Sequence, residues 1–373
     1  MSFNDMAFKG GEQAEKDLGV KMVVLISRTE SDYIPNLEAA AKDPNVILVV
    51  GVGFLLSDAI NATAIKYPDK NFAIIDGFVP GLPNVMSILY QEHKGSAIVG
   101  AIAALTAAFY GYKRIGVVLG IEIPVLWKFE IGYKWGADWA LKWYQAKYGN
   151  PAPVIGETPV KERVLYTYTG SFSDVAKGSE AAKPMFARDA AHDAGVVYNV
   201  AGLTGLGIDQ AIKEIAAANG LKAGPPFMIG VDSNQDWIDP GFVLVSMMKR
   251  VDRGVYFAAQ LVTQGTFRQV VAENNGIVTL GIGTTISGIS IQGNSVSTLD
   301  DLDEFIQLAV SANKTLAMSP DEIKATVKAM RDALPSYVWD AARELEDAIK
   351  NNPDLVPLAM TKDAVDQWRA ALG

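Results

Sequence analysis

The sequence predicts a mixed α/β protein with two doubly wound lobes and a helical C-terminal extension. Apolar runs of strand length, such as 46–50 (VILVV) and 72–76 (FAIID), are rich in β-branched residues and do not alternate with polar ones. Such runs are typical of strands covered on both faces, as in parallel sheets with crossover helices. At 373 residues the chain exceeds the usual size of a single core, which favours two domains.

The elements are expected in the following order. In the first lobe, strands are predicted at 21–27, 46–50, 72–76 and 85–89, with helices ending near 18 and covering 34–42, 55–67 and 94–110. In the second lobe, strands are predicted at 113–119, 163–168, 195–199 and 227–232, with helices at 125–148, 173–188 and 207–219. Strand 242–248 and helix 253–264 are then expected to return to the first lobe. Helices at 299–311, 320–334, 337–350 and 362–372 form the extension. The predicted domains are therefore 1–111 with 242–296, then 112–241, and the extension 297–373.

The chain opens with helix-capping residues, Ser2-Phe3-Asn4-Asp5, preceded only by Met1. In an α/β lobe a buried strand normally precedes such a cap. The carboxyl end of that strand lies at the edge of the sheet where open α/β sheets bind ligands. We therefore expect the first strand of this lobe to be missing from the sequence. Phe8, one or two turns into the helix, would lie near the same crevice. A plain cap followed by a core phenylalanine is the alternative.

Composition excludes several classes of function. The net charge is −9, from 42 acidic and 33 basic residues, and no basic cluster favours nucleic acid. The chain has no cysteine and two histidines, His93 and His192, which argues against thiolate and multi-histidine metal sites. The most apolar run, 96–109, is shorter than the roughly 20 residues of a membrane span. No signal peptide is present, so the protein is cytoplasmic or its targeting segment is missing.

Two glycine-rich turns follow predicted strands. Residues 51–56 (GVGFLL) lack the third glycine of a dinucleotide fingerprint, and 202–207 (GLTGLG) have a different spacing. Tight turns with exposed helix N-termini are the favoured interpretation, and no cofactor is predicted. Amides exposed at such turns, including that of Gly53, can still donate to ligand hydroxyls.

Three predicted strands end in a charged residue: Asp76, Asp232 and Lys249. A charge at the end of an apolar strand requires a partner when it is buried. Two carboxylates and an ammonium can satisfy one another and also bind vicinal hydroxyls. A salt bridge between the lobes is the equally weighted alternative.

An enzyme is disfavoured. The sequence shows no nucleophile–base pair, no histidine beside either aspartate, and no dense aspartate run of the kind expected in a calcium-dependent nucleoside hydrolase. No catalytic residue is therefore predicted.

A second aromatic residue follows a strand end. Thr169-Gly170-Ser171-Phe172 resembles the opening stretch, with a small polar turn and a phenylalanine at a helix entrance. One phenylalanine at each lobe could sandwich a flat ring, at about 0.5–1.5 kcal/mol per aromatic pair beyond area burial. A hydrophobic staple is the alternative for Phe172.

Taken together, these segments resemble the basic membrane protein (BMP) family of ABC-transporter substrate-binding lipoproteins, in its purine-nucleoside receptor group. The matching segments keep the family's order over residues 1 to about 290: Ser2-Phe3-Asn4-Asp5, 51–54 (GVGF), 72–77 (FAIIDG), 123–125 (IPV) with Phe129-Glu130, 168–172 (YTGSF), Gly202 with 204–207 (TGLG), 230–233 (GVDS) and 246–252 (SMMKRVD).

The resemblance implies a type I periplasmic-binding-protein fold whose two lobes close on a nucleoside. It implies that Phe8 and Phe172 sandwich the base and that Asn4 reads the base edge. Asp76 and Asp232 would accept ribose hydroxyls, with Lys249 bridging the charges. The backbone at Gly202 would approach the ligand.

The resemblance also implies partners and location. A purine nucleoside and an ABC-transporter permease are the expected partners. The protein would be extracytoplasmic and membrane-associated through a lipid anchor that this chain does not contain. The family motif usually begins with an aspartate two residues before the serine, which this sequence lacks. A sugar receptor or sensor domain of the same fold, and a nucleoside-cleaving enzyme, are the alternatives.

Overall fold

The computed structural model describes residues 3–373, so the predicted cap residue Ser2 lies outside the described residues. Most predicted elements are confirmed, with ends that differ by a few residues. The α-helices within this range are α1 (Phe3–Leu18), α2 (Tyr33–Lys42), α3 (Ser57–Lys66), α4 (Glu92–Tyr110), α5 (Pro124–Tyr148), α6 (Val175–Met185), α7 (Leu206–Asn219), α8 (Val251–Thr263), α9 (Phe267–Glu273), α10 (Leu299–Ser311), α11 (Pro320–Asp332), α12 (Ser336–Asn351) and α13 (Lys362–Leu372). The strands are β1 (Leu48–Val52), β2 (Asn71–Ile75), β3 (Val85–Tyr90), β4 (Arg114–Leu119), β5 (Val164–Tyr168), β6 (Ala194–Val200), β7 (Phe227–Asp232), β8 (Val243–Lys249), β9 (Ile277–Leu280), β10 (Thr284–Ile286), β11 (Ile289–Ile291) and β12 (Asn294–Val296).

The strands form two main sheets. One has four parallel strands in the order β1-β2-β3-β9. The other has six strands in the order β12-β8-β7-β6-β4-β5, parallel except for β12, which is antiparallel to β8. Strands β10 and β11 form a separate antiparallel pair. The unalternating apolar runs therefore predicted parallel sheets correctly.

The strand predicted at 21–27 is wrong. These residues have no regular secondary structure, although the run is apolar. The side chains of Val23, Val24, Leu25 and Ile26 are between 47% and 76% exposed. A strand requires a neighbour that completes its backbone hydrogen bonds. Within the described chain, β1 is an edge strand whose partner is β2, and residues 21–27 do not extend that sheet.

The described chain divides into two compact units. The large unit contains Glu92–Lys249 and Asn294–Gly373, and the small unit contains Phe3–Gln91 and Arg250–Gly293. This division differs from the predicted boundaries, because α4 and β8 belong to the large unit. The strand predicted to return to the first lobe pairs instead with β7 and β12, while α8 does join the small unit. The extension is part of the large unit.

Helix α4 belongs to the large unit because it packs closely along α5. A Cβ atom on Gly136 would lie 1.9 Å from the carbonyl oxygen of Ala97, and one on Gly132 would lie 2.2 Å from that of His93. Such distances leave no room for any side chain at these positions. The glycines of α5 thus allow direct backbone contact between the two helices.

The last helix of the extension also packs on α5. Ile131 of α5 forms a buried cluster with Ala359 and Val365, against which Trp127 and Trp368 lie. The four helices predicted in the extension are confirmed as α10 to α13. Each of these helices has a buried apolar face, to which Phe305, Val327, Leu345 and Val365 belong, and all four lie in the large unit.

Gly136→Ala tests the close contact between α4 and α5. We expect the free energy of unfolding to fall by about 1–3 kcal/mol, because the added methyl group overlaps a backbone carbonyl that cannot move freely. Chemical denaturation of both proteins measures the change. The control is Gln145→Ala on the exposed face of the same helix, which should change stability by less than about 0.5 kcal/mol. Equal stabilities of Gly136→Ala and the wild type would contradict this packing.

Candidate functional site

Most of the predicted site residues lie where parallel strands end. In the small unit, Gly53 follows β1 and Asp76 follows β2; in the large unit, Phe172 follows β5, Gly202 follows β6, Asp232 ends β7 and Lys249 ends β8. The carboxyl ends of parallel strands share one edge of a sheet, which is where open α/β sheets bind ligands. Each unit therefore brings its own set of predicted residues to the binding edge of its own sheet.

The two aspartates share an unusual backbone conformation. Asp76 has φ of 61° and Asp232 has φ of 64°, so both are in the left-handed region. Aspartate visits this region more readily than most residues, but the conformation still costs of order 1–3 kcal/mol. Asp76 is 8% exposed, and Asp232 is half-buried. Strain of this kind, found here at the carboxyl end of one strand in each unit, is typical of residues placed for function.

Asn4 and Phe8 lie on the exposed side of α1. Both side chains are exposed, Phe8 by 46%, whereas Met6 and Ala7 between them are buried. Residues four apart lie on the same helix face. The structure thus places the amide and the aromatic ring side by side on the surface of the small unit.

A buried carboxylate fixes helix α1. Asp252 of α8 accepts hydrogen bonds from Arg250 Nε at 3.0 Å and Nη2 at 2.7 Å, and Lys9 Nζ lies 3.0 Å from its Oδ2. Burial opposes the charged form, but the two cations overcome it and lower the pKa of Asp252 to about 2. A Cβ on Gly10 would lie 2.4 Å from the Asp252 carbonyl oxygen, so α1 and α8 touch through their backbones. The face that carries Asn4 and Phe8 is therefore held firmly.

The amide of Gly53, which was expected to be exposed and able to donate to a ligand, is bonded within the protein. Its N–H donates to the carbonyl oxygen of Ile75 at 2.9 Å, so this amide is engaged within the sheet. Its φ of 99° is accessible mainly to glycine. The glycine therefore supplies a turn after β1, and the Phe3 ring lies 3.8 Å from where a Cβ would be.

Phe172 and Gly202 are brought together in the large unit. The Phe172 carbonyl oxygen accepts from the N–H of Leu203 at 3.0 Å, and its half-buried ring lies against Gly120. A Cβ on Gly120 would be only 2.3 Å from that ring. Gly202 has φ of 57° and lies close to the Phe172 backbone. The glycines at the ends of β4 and β6 thus make the space that the aromatic ring occupies.

Lys249 is paired with a residue that sequence reasoning missed. Its Nζ lies 2.6 Å from Oε1 of Glu92, whose other carboxylate oxygen is bound by Lys128. Glu92 is fully buried. Burial opposes its charge, but Lys128 and Lys249 together lower its pKa to about 2. Lys249 was expected to bridge the two aspartates; within the large unit its ammonium is held by Glu92.

A signal for Glu92 was present in the sequence. Like Asp76 and Asp232, it follows an apolar strand, but Gln91 separates it from the end of β3. It also opens an apolar helix, where a charge needs a buried partner. The neighbouring His93 is buried as well, and burial lowers its pKa to about 4, so its imidazole is neutral at pH 7.

The described residues offer no metal site. Among residues 3–373, no three His, Asp or Glu side chains are arranged to hold a metal ion. The small unit provides a carboxylate and an aromatic ring, and the large unit provides a carboxylate, an aromatic ring and a fixed ammonium. Such groups bind a polar, partly aromatic organic molecule.

Glu92→Gln tests the ion pairs at Lys249. We expect the free energy of unfolding at pH 7 to fall by about 3–5 kcal/mol, because two lysines would lose their carboxylate partner. The folded pKa of Glu92 lies below its unfolded value, so this stabilisation is complete above about pH 5 and is lost as the pH falls towards 2. Denaturant titrations should therefore show the gap between variant and wild type narrowing over that range.

The matched control for this test is Glu180→Gln, an exposed carboxylate of the large unit. It should leave stability within about 0.5 kcal/mol of the wild type at every pH. A difference between Glu92→Gln and the wild type that does not change with pH would contradict the charge pairing.

The chain is similar to proteins of one transport family. The sequence profile described as "ABC transporter substrate-binding protein PnrA-like" matches residues 1–314. An uncharacterised lipoprotein of Pyrococcus horikoshii is 35% identical over 98% of this chain and 83% of its own length. The ABC transporter nucleoside-binding protein BmpA of Lactococcus lactis is 30% identical over 77% of this chain and 79% of its own.

Solved structures agree with this relationship. A solute-binding protein of an ABC transporter system from Aeropyrum pernix has a TM-score of 0.79 at 30% identity, covering 98% of this chain and 92% of that one. This likeness confirms the predicted type I periplasmic-binding-protein fold. The family and these relatives are named for binding or transport, or as lipoproteins, and none of them as an enzyme. No helix in the described part of the chain has the length and hydropathy needed to cross a membrane. The chain belongs to the Bmp family of PnrA-like ABC transporter substrate-binding proteins.

Proposed function

We propose that the protein is a non-enzymatic receptor for a purine nucleoside. The observation that carries the proposal is the pair of left-handed aspartates, Asp76 and Asp232, at the strand ends of the two units. A ribose presents vicinal hydroxyl donors, and carboxylates are the strongest acceptors for them. The nucleoside-binding relative in Lactococcus lactis supports the same ligand class.

The proposal assigns the sugar to the charged residues. Asp76 and Asp232 accept hydrogen bonds from the ribose hydroxyls. Lys249 cannot swing freely, because Glu92 holds its ammonium at 2.6 Å. Held in this way, the ammonium directs its positive charge towards the oxygen atoms of the sugar. A site built in advance binds its ligand at a smaller entropic cost.

The base is assigned to the aromatic residues. Phe8 exposes its ring on α1, and Phe172 exposes part of its ring between β5 and α6. A purine is a flat ring that stacks on such aromatic faces. Asn4 has both a donor and an acceptor, which matches the edge of a purine. The backbone at Gly202 lies beside Phe172, and its lack of a side chain leaves room for the ligand.

The family supplies the wider role. We propose that the receptor hands the nucleoside to a membrane permease. We also propose an extracytoplasmic, membrane-associated location, because the Pyrococcus horikoshii relative is named a lipoprotein.

Isothermal titration with adenosine, guanosine, inosine and ribose tests the ligand class. We expect at least one nucleoside to bind with a dissociation constant in the micromolar range or below, and ribose to bind much more weakly. Tight binding of ribose with no nucleoside binding would show a sugar receptor instead. Release of free base from inosine during a long incubation would show an enzyme.

Phe172→Ala and Phe8→Ala test the base assignment. Each should weaken nucleoside binding by roughly tenfold, since each removes an aromatic face and the apolar area that it covers. The control is Phe109→Ala, which removes a 45% exposed ring at the far end of α4 and should leave affinity unchanged. Thermal denaturation checks that all three variants fold. Unchanged affinity in both test variants would exclude these rings from the site.

A further inference from the structure

The C-terminal extension carries three arginines, and two of them are held against carboxylates inside the large unit. Arg369 lies on α13 and Arg331 on α11, both beyond residue 314, where the family match ends. We propose that Arg369 and Arg331 are positioning residues that fix the ends of β5 and β7, and so hold Phe172 and Asp232 ready for the ligand. The effect on ligand binding rests on the proposed function, whereas the contacts of the two arginines are independent of it.

Arg369 makes a forked contact with a fully buried carboxylate. Its Nε donates to Oε1 of Glu130 at 2.9 Å, and its Nη2 donates to Oε2 at 2.8 Å. The same Nη2 donates to Glu122 at 3.0 Å, in the segment between β4 and α5. Glu130 also accepts from Lys134 at 2.8 Å and from the hydroxyl of Tyr168 at 2.7 Å. One arginine of the extension thus completes a network that ends at the last residue of β5.

Strand β5 needs such support because it is the edge strand of its sheet. Its one neighbour in the sheet is β4, and Tyr166 in its middle is 38% exposed. The guanidinium of Arg369 lies 5.1 Å from the ring centre of Tyr166 and 5.6 Å from that of Tyr168. The ammonium of Lys134 lies 3.5 Å from the Tyr166 ring centre. Arg369 of α13 and Lys134 of α5 therefore both lie against the aromatic rings of the edge strand.

The end of β5 leads directly to Phe172. Thr169 N–H donates to Leu119 at 2.8 Å and Gly170 N–H donates to Gly120 at 2.9 Å, so pairing with β4 continues past Tyr168. Phe172 then packs its ring on Gly120. If Tyr168 moved, the hydrogen bonds of Thr169 and Gly170 to β4 and Gly120 would shift. The Phe172 ring would then lose its contact with Gly120.

Arg331 plays the same part at β7. Its Nη2 donates to Oδ2 of Asp236 at 2.7 Å, and its Nε donates to the carbonyl oxygen of Leu244 at 3.0 Å. The other oxygen of Asp236 accepts from Ser246 Oγ at 2.7 Å, and Ser246 Oγ accepts from the N–H of Gln235 at 2.9 Å. These bonds fix Gln235 and Asp236 in the loop that follows Asp232.

The position of these arginines favours a role in binding. Replacing a buried ion pair with apolar residues often leaves stability unchanged or raises it, so stability alone does not explain them. The third arginine of the extension, Arg343, pairs with Asp340 at the surface. The two buried ones both hold loops at the carboxyl ends of strands, where the predicted ligand residues lie.

The test compares Arg369→Gln with Arg369→Lys and the surface control Arg343→Gln. Hydrogen exchange by mass spectrometry follows residues 164–174, with β6 as an internal reference. We expect Arg369→Gln to exchange faster in 164–174 but not in β6, and to bind the nucleoside roughly tenfold more weakly. Arg369→Lys should be intermediate, because lysine keeps the charge but cannot form the fork. Arg343→Gln should match the wild type in both measurements.

Arg331→Lys adds a second, independent comparison. It should speed exchange in residues 231–237 and leave 164–174 unchanged, because each arginine holds its own loop.

Several results would overturn the proposal. Unchanged exchange in 164–174 for Arg369→Gln would show that Arg369 does not hold β5. Faster exchange with unchanged affinity would show that the loop does not position a ligand group. If the wild type bound no nucleoside, the proposed function would fail; the exchange result would then decide alone whether Arg369 positions the loop. If Arg369→Gln did not fold, Arg369→Lys would carry the same comparison.

Discussion

The buried carboxylate of Glu92 joins the two ends of one long segment. Glu92 begins the segment Glu92–Lys249 of the large unit and Lys249 ends it, and the two residues form an ion pair at 2.6 Å. Asn294, where the chain re-enters this unit, pairs with Lys249 in the β12–β8 ladder. The positions where the chain enters and leaves the large unit are thus held together by this ion pair and by the pairing of β12 with β8. A carboxylate this deep is stable only with cations beside it, which fixes where Lys249 can be.

The same rule operates at other predicted binding elements. Asp252 is held by Arg250 and Lys9 beneath the helix that presents Phe8. Glu130 and Asp236 are held by arginines beside the loops of Phe172 and Asp232. The chain therefore places buried ion pairs next to elements that carry the proposed ligand residues. Ion pairs in an apolar surrounding have few alternative geometries, so the residues next to them are held in place, which would lower the entropic cost of the proposed binding.

Much of this arrangement could be predicted from the sequence because it is local. Unalternating apolar runs predicted the parallel strands, and charged residues at their ends indicated Asp76, Asp232 and Lys249 correctly as strand-end residues. What failed depends on partners distant in sequence. Residues 21–27 have the composition of a strand but do not pair with a neighbouring strand. Strand β8 was assigned to the wrong sheet, because the sequence does not reveal that its neighbours are β7 and β12. The pairing of Glu130 with Arg369 spans 239 residues, and no spacing rule reveals such a contact.

The central claim is that Asp76 and Asp232 bind the vicinal hydroxyls of a nucleoside, and one measurement tests it directly. Calorimetric titration compares a purine nucleoside with its 2′,3′-dideoxy analogue, which keeps the base and lacks both hydroxyls. We expect the analogue to bind at least about a hundredfold more weakly, because it cannot donate the hydroxyl hydrogen bonds that the two carboxylates would accept. Equal affinity for the two ligands would contradict the account.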